Sequence, residues 1–166
     1  MSVIDEVLKA NQEYAKNFKL GHLPMPPANK LAVVAFMDAR MTVSQLLGLK
    51  TGEAHIIRNA GGIVTEDALR SLIISHHLLG TQEFMIINHT DCGMLTFKDE
   101  ELRKKLQKET GTLPVAPTYF HPFSDLEENV REQIQKVKSH PWVPKQIPVR
   151  GFIYDVKTGR LNEVSL

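Results

Sequence analysis

The stretch TEDALRSLIISHHLLGTQEFMIINHTDCGM, residues 65–94, decides the fold. Its first half reads as a helix. Thr65 can cap it, Glu66 and Asp67 suit the positive end of the helix dipole, and Gly80 can end it. EFMIIN (83–88) then follows as a short apolar run, the pattern of a strand buried on both faces. Upstream, LAVVAF (31–36) is another such run, and AHIIRNAGG (54–62) reads as a strand that closes on a glycine pair. Strand, helix, strand, helix, strand in this order predicts an α/β fold: a central, mainly parallel β-sheet flanked by helices.

The remaining segments hang on that frame. Residues 2–19 have the spacing of an amphipathic helix, with Val3, Ile4, Val7, Leu8, Tyr14 and Phe18 on one stripe. LGHLPMPPANK breaks it with three prolines. Residues 1–22 are therefore expected to form an N-terminal helical arm, set either against a partner subunit or back on its own domain. TVSQLLGL (42–49) reads as a short helix. KDEELRKKLQKETG (98–111) and DLEENVREQIQKVKS (125–139) read as charged, mostly solvated helices, with a Pro-rich irregular segment between them. PVRGFIYD and GRLNEV predict a C-terminal hairpin turning at VKTG. Trp142, in HPWVP, is expected to be a packed aromatic.

The totals narrow the function classes. With 166 residues, the chain suits one domain, 1–166, large enough to bury a sizeable core. A net charge of +1, from 20 basic and 19 acidic residues, gives no footprint for nucleic acid or an anionic membrane. A single cysteine excludes an intramolecular disulfide. The acidic start lacks the basic-then-apolar pattern of a signal peptide, and no run approaches the roughly 18 apolar residues of a membrane span. The expected location is the cytoplasm.

In parallel α/β sheets ligands gather beyond the carboxyl ends of the strands. Three polar clusters fall there: MDAR (37–40), RNAGG (58–62) and HTDCG (89–93). His89 and Cys92 offer an imidazole and a thiolate, good zinc ligands, although a buried small thiol beside a hydrogen-bonded histidine would read the same way. If the chain stays extended through AFMDAR, Phe36, Asp38 and Arg40 project on one side. Asp38 and Arg40 can then pair, either as an oriented carboxylate or as a strand-end salt bridge. Gly61 and Gly62 offer unshielded backbone N–H groups to an anion, or simply a tight turn.

Together the three clusters, with RSLIIS (70–75) and GFIYDVKTGRLNEV (151–164), resemble the β-carbonic anhydrases of the compact bacterial and archaeal type. The resemblance implies reversible hydration of CO2 to bicarbonate by a zinc lyase. His89 and Cys92 match metal ligands, Asp38 and Arg40 match the catalytic dyad, and Gly61 and Gly62 lie against substrate. Zinc in such a site lowers the pKa of bound water to about 7. The resemblance also implies a homodimer or higher assembly, with the N-terminal helix reaching across.

One position departs from the pattern. The family reads C-x-D-x-R where this chain reads Phe36-Met37-Asp38-Ala39-Arg40. The first ligand position is thus a phenyl ring, which cannot coordinate a metal. Asp38 is the possible substitute ligand, at the cost of leaving Arg40. Two readings stay open: a zinc lyase impaired by Phe36, or a metal-poor, inactive homologue (by natural loss or deliberate substitution) serving as a binding or assembly module. A third makes Cys92 a nucleophile with His89 as its base.

Overall fold

The computed structural model describes residues 2–113 and 116–166. Five strands form one sheet in the order β2-β1-β3-β4-β5. They are β1 (Leu31–Phe36), β2 (Ala54–Asn59), β3 (Glu83–His89), β4 (Val149–Tyr154) and β5 (Leu161–Val164). β1 runs parallel to both β2 and β3, and β3 runs parallel to β4. β5 returns antiparallel on β4, as the expected hairpin. The chain therefore leaves β1 toward one side for β2 and crosses to its other side for β3. In α/β sheets such a reversal is where a ligand crevice is expected, here beyond the carboxyl ends of β1 and β3.

The central strands β1 and β3 are buried on both faces, which explains their continuous apolar runs. Ala32, Val34 and Ile86 pack against Val64, Ala68 and Leu72 and against Val130, Ile134 and Val137. Val33, Ala35, Phe36 and Ile87 form the opposite layer with Met41 and Val43. Helix α3 (Glu66–Leu79) starts where the sequence places it: the Thr65 hydroxyl accepts from the Ala68 amide, and Gly80 ends the helix in the left-handed conformation.

Several expectations change. Helix α2 shrinks to Val43–Leu46, and the glycine pair after β2 forms a 3-10 turn, Ala60–Gly62, rather than more strand. Helix α4 (Asp99–Thr110) buries nothing, as expected of a solvated helix. Helix α5 (Leu126–Ser139) does not follow suit, because Asn129, Val130, Gln133, Ile134 and Val137 are buried against the sheet. Its charge run hid an apolar stripe at helical spacing. Trp142 is not packed: it is 68% exposed. The irregular segment 112–123 is described apart from residues 114–115, which lie outside the described residues.

Helix α1 spans Val3–Lys16, shorter than the sequence stripe, and Ser2 and Asp5 close a capping box at its start. None of its residues is buried. Val3, Ile4, Val7 and Leu8 all face solvent, so the helix is not folded back on its own core. No helix among the described residues is long and apolar enough to cross a membrane.

Candidate active site

β1 ends on Phe36 and β3 ends on His89, at the same end of the sheet. Both are buried, and their rings meet edge to face with centroids 4.4 Å apart. Tyr154, at the end of β4, flanks the phenyl ring at 6.3 Å. After Phe36 the strand stops and residues 39–40 turn, so the extended geometry expected through Arg40 is not maintained. The pairing forms all the same. Arg40 donates from its backbone N–H and from Nε to Asp38 Oδ1, at 2.9 and 3.0 Å, and from Nη2 to Oδ2 at 2.8 Å. A side-on guanidinium fork of this kind fixes the plane of the carboxylate.

Two residues whose side chains had no sequence-derived role complete the clamp. Asp91 accepts from Arg40 Nη1 at 2.9 Å, and its carbonyl accepts from Nη2 at 3.2 Å. Its backbone is left-handed (φ 55°), a conformation that aspartate tolerates better than most residues. Arg58 donates from Nε to the Phe36 carbonyl at 2.8 Å and from Nη2 to the carbonyls of Asp38 (2.8 Å) and Met41 (3.1 Å). The only sequence signal for Arg58 was its place at the strand end, in parallel register with Ala35. The signal for Asp91 was its place between His89 and Cys92. Arg40 and Asp91 are well exposed, so their pairing orients groups more than it stabilises the fold.

The electrostatics follow from these contacts. Hydrogen bonds from the Arg40 side chain, then from its backbone, hold the Asp38 carboxyl down at about 2. The same pairing raises Arg40. Burial pushes the His89 imidazole down and the Cys92 thiol up. At neutral pH Asp38 is thus ionised while His89 and Cys92 are uncharged. A raised thiol lacks the activation that a cysteine nucleophile needs.

The Asp38 pairing is testable. A depressed carboxylate stabilises the folded state fully above its unfolded value, near 3.8, and loses that contribution as pH falls through about 2. Arg40→Leu should lift the Asp38 midpoint by more than one unit, read by 13C NMR of the side-chain carboxyl. An unmoved midpoint would contradict the assignment.

The His89 tautomer is fixed by its neighbour. Nδ1 lies 2.8 Å from the Thr90 carbonyl, which can only accept, so Nδ1 carries the proton. The Nε2 lone pair is left toward the crevice, 3.9 Å from Asp38 Oδ2. Among the described residues, no group of three or more His, Cys, Asp and Glu side chains is arranged to hold a metal ion.

Gly61 and Gly62 follow β2 at this same end of the sheet, both buried and both with positive φ. Asn59 closes this turn, donating from Nδ2 to the Ile63 carbonyl and accepting from the Ile63 amide. The structure therefore brings Phe36, Asp38, Arg40, His89, Cys92 and the glycine pair to one end of the sheet. Three of the other histidines are engaged elsewhere. His55 bonds the Ser75 hydroxyl, and His76 and His77 bond the carbonyls of Thr81 and Trp142.

The sheet thus sets an oriented Asp–Arg pair beside a histidine–cysteine turn at its switch point. Residues 31–161 match the family model for carbonic anhydrase, and the chain belongs to that family. Within it the similarity is to the β-class. The chain is 50% identical to beta-carbonic anhydrase 1 of Mycobacterium tuberculosis over 99% of both chains. It superposes on the crystal structure of carbonic anhydrase from Streptococcus mutans with a TM-score of 0.93, at 45% identity over 99% of both chains. It is also 34% identical to a carbon disulfide hydrolase of Acidianus, over 96% of this chain and 88% of that one.

Proposed function

We propose that this chain keeps the carbon dioxide and bicarbonate pocket of a β-carbonic anhydrase but holds zinc too weakly for efficient hydration. The observation that carries this reading is the packing of Phe36 edge-on against His89, at the position where the family pattern has a thiolate. The residues present do not fit a tightly held tetrahedral ion. Among the described residues one imidazole and one thiol are at hand as donors, and the nearest carboxylate is held by Arg40. Two thiolates would neutralise Zn²⁺, whereas one leaves a net charge in a partly apolar pocket.

The chain's own groups still suit the substrate. Asp38, locked ionised by Arg40, is an acceptor for the O–H of water or bicarbonate. The Gly61–Gly62 turn brings backbone close to a small planar anion. Carbon dioxide is favoured over carbon disulfide by the higher identity to the carbonic anhydrase relatives. Residues 1–166 act as one unit in the cytoplasm, with 1–22 as an arm. The unpartnered apolar face of α1 supports a homodimer or larger assembly, which light scattering of the purified chain would check.

Elemental analysis together with a CO2 hydration assay tests the function. Zinc well below one ion per chain and hydration close to the uncatalysed rate are expected. Stoichiometric zinc with fast hydration would overturn the reading. A second reading draws on the 3.9 Å between His89 Nε2 and Asp38 Oδ2, a span that two ligands of one ion could bridge. In it, Asp38 leaves Arg40 and joins His89 and Cys92 around zinc. Its mark would be weak zinc binding that Asp38→Asn abolishes.

A further inference from the structure

Three buried amide side chains stand outside the Asp38–Arg40–His89 cluster. Asn88, Asn129 and Gln133 are all at most 5% exposed, inside a core otherwise built of Val, Ile and Leu. Their hydrogen bonds form a circuit that begins and ends on the glycine turn. The Val64 amide donates to Gln133 Oε1 at 2.9 Å. Gln133 Nε2 donates to Asn129 Oδ1 at 3.0 Å, and Asn129 Nδ2 donates to Asn88 Oδ1 at 2.6 Å. Asn88 Nδ2 donates to the Gly62 carbonyl at 3.2 Å. From the rim of α5, Lys136 Nζ donates to the Val64 carbonyl at 2.9 Å.

Residues 129, 133 and 136 share one face of α5, so a single helix reaches Val64 directly and Gly62 through Asn88. Burying three amides rarely stabilises a fold more than apolar packing would, and a fully satisfied network rigidifies what it touches. No buried side-chain polar atom among the described residues lacks a partner. Asn88 also immediately precedes His89, which ties the turn to the crevice through β3.

We infer that Asn129, Gln133 and Lys136 are positioning residues: α5 sets the shape of the Gly61–Gly62 turn and thereby the affinity of the pocket for CO2 and bicarbonate. This rests on the proposal that the turn faces substrate.

The test compares Gln133→Met, which cuts the bond to Val64, with Ile134→Val, which loosens the same helix but leaves the circuit whole. Amide exchange read by NMR should quicken at least tenfold at Val64 in Gln133→Met, relative to the β1 amides, and not in Ile134→Val. In a Phe36→Cys background, Gln133→Met should raise KM for CO2 about fivefold with kcat within about twofold and zinc content unchanged. Lys136 is exposed, so Lys136→Met will fold even if Gln133→Met does not, and it should move both readouts the same way by a smaller factor. Val64 exchange that follows only global stability, or a KM that stays put while exchange quickens, overturns the inference. A Phe36→Cys protein with no hydration at all counts against the proposed function instead, and the exchange comparison then decides the network alone.

Discussion

Phe36→Cys should bring the protein to one zinc per chain from the low content proposed for the parent, with CO2 hydration rising at least a hundredfold. A structural zinc site binds with about 10–16 kcal/mol, so one ligand of four is worth roughly 3–4 kcal/mol, or on the order of several hundredfold in affinity. The added thiolate would also complete the neutralisation of the ion, and the ring would no longer lie against the His89 imidazole. The same substitution carries a cost when no metal is present. Phe36 is 1% exposed, and truncating a buried phenylalanine leaves a cavity worth about 2–4 kcal/mol. The metal-free variant should therefore melt below the parent, and zinc should raise its Tm back past the parent's. Phe36→Ser separates the two effects, because it removes the ring without supplying a thiolate and should stay zinc-poor. If Phe36→Cys remains metal-free under zinc-replete expression, the missing sulfur is not what the site lacks.

Gly62→Ala is expected to have the second largest effect, about 3 kcal/mol of stability, measured by urea unfolding. Two costs combine. Gly62 has φ 61°, where a side chain is strained, and an added Cβ would lie 2.7 Å from the Ile87 carbonyl oxygen and 2.9 Å from Asn88 Nδ2. Neither neighbour can yield cheaply: one is backbone in the central sheet, and the other is held by Asn129 and Gly62 itself. Gly80→Ala makes the comparison informative. Its φ of 74° is also left-handed, but a Cβ there meets nothing within 4 Å, so it should cost only about 1 kcal/mol. Equal losses at the two positions would show that backbone strain alone matters and that close approach of the turn to β3 does not.

The two glycines illustrate how far local sequence reaches. Gly80 was legible as a helix end, because its role depends on neighbours four residues away. Gly62 was legible as a turn residue, but its packing against Ile87 and Asn88 depends on β3, which lies some 25 residues onward. The same division runs through the helices. The periodicity of α3 and its capping residues are local, and the structure reproduces them. The buried stripe of α5 was masked because its members Asn129 and Gln133 are polar, and only the contacts they make inside the fold account for their burial. Trp142 was expected to pack because aromatic rings usually do, yet no local pattern says which side of a loop faces solvent.

What the amino-acid order alone determined was the α/β alternation and the three strand-end clusters, since each is written in residues adjacent along the chain. The tertiary structure alone decided that Asp91 and Arg58 brace the Asp38–Arg40 pair, that Nε2 of His89 is the free nitrogen, and that amides of α5 bond Val64 and Asn88 beside the glycine turn. Those are contacts between segments tens of residues apart, and their geometry is set by how the sheet twists and packs, which no short window of sequence contains.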